Sequence, residues 1–143
     1  MTGLRRVPWW GYVVLAGYLV GLAVLVLWPE GATVTHVNML VAAGFQRLGA
    51  PAWMSPAFWE VVNNILVGVP AGALAMVLWP RSRGWSWILL AAALSLCVEL
   101  VQWRYLPSRT PSVLDVLANT TGAAVGVAIG AQLRGVRTTQ QRR

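Results

Sequence analysis

The stretch LSLCVELVQWRYLPSRTPSVLDVLANTTG, residues 94–122, begins as a run suited to hydrocarbon and then carries Glu99, Gln102, Asp115 and Asn119. A carboxylate at the centre of a membrane helix costs about 2.5–3.5 kcal/mol on insertion scales. Whether these residues meet that cost depends on what surrounds them. The chain has 143 residues, 57% of them hydrophobic and only 10% charged, against roughly 25% charged in a soluble domain. Four apolar segments, about 9–28, 58–79, 85–103 and 113–133, approach the length of about 20 residues that crosses a bilayer core. The nine tryptophans lie at or just outside the segment ends. That is the aromatic belt of a membrane–water interface, not the scatter of a soluble core. The sequence therefore predicts an all-α membrane protein with four transmembrane helices in a single domain, residues 1–143.

The net charge of +7 follows the same geometry. With four spans both termini share a side. Arg5, Arg6, Arg81, Arg83, Arg134, Arg137, Arg142 and Arg143 fall there, while Arg47, Arg104 and Arg109 fall on the other. The positive-inside rule places the arginine-rich side, with both termini, in the cytoplasm of a cell-membrane protein. The tail RGVRTTQQRR suits anionic lipid, and no nucleic-acid partner is expected. The first segment is longer than a signal-peptide core and lacks a small-residue cleavage site before Trp28, so a retained anchor is expected. Cys97 is the sole cysteine, which rules out an internal disulfide or a thiolate metal cluster; it reads as a small filler in the third span.

Between the first two spans, Val34, Val37, Val41, Phe45 and Leu48 recur at roughly helical spacing, which predicts a short amphipathic helix on the outer surface. His36 reads there as an interfacial polar residue. Ser55-Pro56 reads as N-cap and first residue of the second span. The short link PRSRG makes spans two and three an antiparallel hairpin. Gly17 and Gly21, Gly68 and Gly72, and Gly122, Gly126 and Gly130 are spaced by four, the pattern that lets membrane helices pack closely.

On this topology Glu60 and Asn64 open span two, Glu99 and Gln102 close span three, and Asp115 and Asn119 open span four, all toward the outer face. Glu30 ends span one at the same side. Glu60 and Asn64, like Asp115 and Asn119, are an acid and an amide one turn apart, so each pair can face one cavity. Ser112-x-x-Asp115 resembles a capping box, and a carboxylate in a first turn suits the helix dipole, so Asp115 and Glu60 have a structural reading beside the functional one. Glu99 is near a helix C-terminus, where the dipole disfavours an anion. Capping does not explain it there; protonation or pairing with Arg104 or Arg109 would.

Ser95-x-x-x-Glu99-x-x-Gln102, then Arg109, Asp115, Asn119-Thr120-x-Gly122 and Gly126, resembles the signature of the VanZ-like membrane protein family. Asn64, Pro70 and Gly72 resemble its second-span motif, and the matching positions cover about residues 58–130. Gly68 stands where an aromatic is common, and Ser112, Val113 and Leu114 replace further acids, so no metal and no cofactor is expected. The family's name comes from a protein associated with teicoplanin resistance, and the resemblance implies no known reaction. Three readings follow. The first is an outer-leaflet site, built from Glu60, Asn64, Glu99, Gln102, Arg109, Asp115 and Asn119, that binds or modifies an envelope lipid or a polyprenyl- or phospholipid-linked cell-wall precursor. The second is a hydrolase or transferase acting on a lipid phosphate, with Glu99 or Asp115 as general acid/base and Arg109 on the phosphate. It lacks an obvious nucleophile, since Ser108, Thr110 and Ser112 have no neighbouring base in sequence. The third is a structural scaffold without ligand.

Overall fold

The computed structural model describes residues 9–28, 31–107 and 110–140, with side chains as far as residue 134. Glu30, Ser108, Arg109 and the arginines of both termini beyond these limits lie outside the described residues. Among the described residues, five helices follow one another: α1 (Trp9–Val26), α2 (Gly31–Arg47), α3 (Pro56–Leu78), α4 (Gly84–Tyr105) and α5 (Val113–Gln140). Four stretches are long and apolar enough to cross a membrane, namely α1, α3, α4 and Val113–Arg134 of α5.

The helix starts follow local chemistry. Ser55 caps α3, its hydroxyl accepting from the Phe58 N–H at 3.3 Å, and Pro56 occupies the first turn, where a missing N–H costs nothing. Ser112 does the same for α5, accepting from the Asp115 N–H at 3.2 Å. Aromatic side chains gather at both ends of the bundle. Tyr12, Trp79 and Trp87 meet at one, with ring centroids 5.7 and 5.1 Å apart. Phe45 stacks on Trp59 at the other, 4.3 Å between centroids, beside Phe58 and Trp53.

The core is the seam between α3 and α5. A β-carbon on Gly68 would lie 2.6 Å from the Asn119 carbonyl oxygen, and one on Gly122 would overlap the carbonyl of Ile65. Gly72 meets Ala123, and Gly126 meets Val69, in the same way. Rising numbers on α3 thus face rising numbers on α5, so the two helices run parallel at backbone contact. α4 leans on α5 in the antiparallel sense, since Glu99 reaches Ser112 and Ser95 reaches Asn119. Although the turn Pro80–Arg83 joins α3 to α4 directly, both pack chiefly on α5. Arg134 on α5 donates to the Pro80 carbonyl at 2.6 Å and ties that turn down.

One expectation needs correction here. Gly17 and Gly21 have the spacing of packing glycines, yet nothing outside α1 lies within 4 Å of a β-carbon placed on either. α1 touches the core without using them. A helix does form between the first two spans, with Gly31, Asn38 and Ala42 buried, Val34 and Val41 half-buried, and Val37, Phe45 and Leu48 exposed. Small and polar residues let α2 approach α3, where Asn38 accepts a hydrogen bond from Asn63 at 2.9 Å.

Candidate functional site

The caps set the phase of each helix, and the phase decides what faces inward. With α3 starting at Pro56, Glu60 and Asn64 stand one turn apart on one side, followed along the helix by Val67 and Pro70. With α5 starting at Val113, Asp115 and Asn119 do likewise. On α4, Ser95, Glu99 and Gln102 fall at steps of four and three and are the buried residues of that helix. These faces converge on a cleft of about 560 Å³. Glu60, Asn64, Glu99, Gln102, Asp115 and Asn119 all line it. Six of the seven residues singled out in the sequence thus meet at one place, and Arg109 lies outside the described residues.

α1 and α2 add mostly hydrocarbon to the lining, with Leu22, Leu25 and Val26 of α1 and Val34 and Val37 of α2 beside Tyr18, Thr33 and Asn38. The carboxylates all come from α3, α4 and α5, so the lining joins a strongly polar set to a mainly apolar one.

Glu99 is only 7% exposed. Its Oε2 accepts a hydrogen bond from the Ser112 N–H at 2.8 Å. The carboxylate ends one helix but sits against the beginning of another. The unpaired N–H groups and positive dipole end of α5 are what an anion there meets. Capping across the α4–α5 junction explains a position that capping within α4 does not. Arg104, one of the two arginines expected as partners, is exposed, its guanidinium 5.3 Å from the centroid of the Tyr105 ring.

The amides have separate tasks. Asn119 Nδ2 donates to Ser95 Oγ at 3.1 Å, joining α5 to α4. Gln102 Nε2 donates to the Val26 carbonyl at 2.6 Å, satisfying an acceptor left over at the end of α1. Asn64 makes no hydrogen bond among the described residues while lining the cleft. The Tyr18 hydroxyl donates to the Val67 carbonyl.

Tyr18, Asn38 and Asn63 were not anticipated. Tyr18 is a tyrosine in mid-span, away from the interfacial belt, and that was a usable signal. Asn63 precedes Asn64 directly and could have been read with it. Asn38 offered no such sign, because its burial depends on how α2 docks.

Neither a curated protein nor a solved structure matches the chain. The model of the VanZ/LLP1 family matches residues 10–134, which takes in all four apolar helices and every described residue of the cleft. Glycopeptide resistance is associated with that family. The chain belongs to the VanZ/LLP1 family of membrane proteins.

Proposed function

We propose that the cleft binds the polar head of an envelope lipid or lipid-linked cell-wall precursor, and that this binding underlies an effect on glycopeptide susceptibility. The observation that carries the reading is the mixed lining. Carboxylates and amides of α3, α4 and α5 share a space of about 560 Å³ with leucines and valines contributed mainly by α1 and α2. An amphiphile has the matching division, with hydroxyl, amide or phosphate groups at one end and a chain at the other. Asn64, with no hydrogen bond among the described residues, supplies donors and an acceptor to such a head. Ser112 is engaged as a helix cap, so binding is the reading developed, ahead of a covalent mechanism.

The test is to purify the protein gently and identify its retained lipids by mass spectrometry. Wild type should hold a species enriched over the bulk membrane. Asn64→Ala and Asp115→Asn should lose it by about tenfold, the scale of one or two ligand hydrogen bonds, at unchanged abundance and melting temperature. A retained profile identical to bulk membrane, or one indifferent to both variants, counts against the reading.

The orientation proposed with it puts the termini in the cytoplasm and the cleft in the outer leaflet. Support comes from Arg81, Arg83 and Arg134, which cluster at the bundle end opposite the cleft, as the positive-inside rule requires of a cytoplasmic face. In a Cys97→Ser background, a membrane-impermeant maleimide applied to intact cells should label a cysteine at Gly49 and spare one at Arg81. The reverse pattern would move the cleft to the cytoplasmic leaflet and remove the case for an external ligand.

A further inference from the structure

We infer that α1 is a lateral gate of the cleft, held shut by two hydrogen bonds that open to admit an amphiphile from the surrounding bilayer. The inference rests on the reading of the cleft as a lipid site and concerns how that site is reached.

α1 lines the cleft with Tyr18, Leu22, Leu25 and Val26, so its displacement would open the cleft to the lipid on that side. It is the least embedded of the spans: 6% of it is buried in the protein, against 28% for α3 and for the spanning part of α5. The space around Gly17 and Gly21 is open, so no close backbone seam of the α3–α5 kind holds this helix. Among the described residues, two polar ties fasten it instead. The Tyr18 hydroxyl donates to the Val67 carbonyl at mid-span, and Gln102 donates to the Val26 carbonyl at the helix end. All four of these residues line the cleft, and Leu22 lies on α1 between the two ties.

The mid-span tie sits beside Pro70, inside α3. Pro70 has no N–H, so the Leu66 carbonyl four residues earlier loses its helical donor. Leu66, Val67 and Pro70 all face the cleft. Acceptor groups are therefore concentrated where Tyr18 docks, in a setting where an unpaired carbonyl is costly. A hydroxyl or amide of an incoming headgroup can take over the bond that Tyr18 gives up. Exchanging one donor for another keeps the carbonyl satisfied, so opening costs little once a ligand is at hand. The α3–α5 seam takes no part and stays closed.

The test uses the full chain in a Cys97→Ser background with one cysteine placed at Leu22, on the cleft wall. N-ethylmaleimide labelling in native membranes is timed for this parent and for Tyr18→Phe, Gln102→Leu and the two combined. Each single change should speed labelling about fivefold, and the pair should exceed either, as expected if each tie contributes one ordinary hydrogen bond. A cysteine at Met76, buried beside α5, should stay protected in every background. Labelling at Leu22 that is no faster in the combined variant overturns the gate. So does labelling at Met76 that rises in step with it, because the whole bundle would then be loosening. The readout needs no ligand. Loss of enriched lipid from wild type would therefore defeat the binding reading alone, and a flat Leu22 response with lipid still retained would defeat the gate alone.

Discussion

Alanine at Gly122 or Gly126 lowers the melting temperature of the detergent-solubilised protein sharply, whereas alanine at Gly17 or Gly21 leaves it where it was. The four positions look alike in sequence, each one turn from another glycine in an apolar run. Their surroundings are opposite. A β-carbon on Gly122 would overlap the Ile65 carbonyl, and one on Gly126 the carbonyl of Val69. The obstacle is main chain in both cases, so no rotamer change relieves it and the helices must separate. Overpacking of a tight interior costs about 1–3 kcal/mol for each added methyl, and the double substitution should approach loss of the fold. Lipid gives no hydrophobic drive to compensate, because helix association there depends on close packing and hydrogen bonds. At Gly17 and Gly21 a methyl meets open space and adds helix propensity instead. Thermal unfolding followed by circular dichroism separates the two classes. Equal effects at all four positions would mean that α1 has a close-packed partner, and a second copy of the chain would be the first to seek.

That contrast shows where reading the sequence stopped. The spans were legible because crossing a bilayer imposes a length and a composition on a continuous run. The tryptophans at their ends marked the interfaces. The starts of α3 and α5 were legible because a cap is a local event, made by Ser55 with Phe58 and by Ser112 with Asp115, three residues apart in each case. Glycine spacing announced that a helix can be approached closely, but not which helix will come. For α3 and α5 that partner existed; for α1 it did not.

The cleft was legible in its members and not in its wiring. Each of Glu60, Asn64, Glu99, Gln102, Asp115 and Asn119 stood out as a polar group in an apolar run, which is a one-dimensional signal. Their bonds were hidden because most partners are main-chain groups or side chains on other helices. Ser112 serves Glu99 through its N–H, and Val26 serves Gln102 through its carbonyl. Any residue type but proline could offer that N–H, and any residue type could offer that carbonyl. Asn38 was hidden for a related reason, since the helical period of α2 picks out its valines while the buried positions are Gly31, Asn38 and Ala42.

Glu99→Leu should destabilise the protein more than Glu99→Gln, while both should abolish the lipid enrichment proposed for the cleft. The carboxylate does two things that a leucine cannot. It accepts the Ser112 N–H at 2.8 Å, and it places an acid in the cleft wall. Leucine leaves the part-buried Ser112 N–H at the start of α5 without that acceptor, at about 1–3 kcal/mol. Glutamine has an acceptor oxygen of the same reach and keeps the bond, while giving up the interaction of a charge with the α5 dipole, about 0.3–1 kcal/mol. Ligand recognition responds differently, because the amide presents an N–H donor and no charge where the acid presented an acceptor. Melting temperature and retained lipid, measured on the same preparations, therefore divide the two roles. If glutamine is as damaging to the fold as leucine, the charge itself holds the junction of α4 and α5 and the position is architectural. If glutamine keeps both fold and lipid, the acid is not read by the ligand, and Asp115 and Asn64 become the groups on which recognition depends. A stable glutamine variant without its lipid is the result that places Glu99 in the binding site, because a role confined to helix capping predicts no such loss.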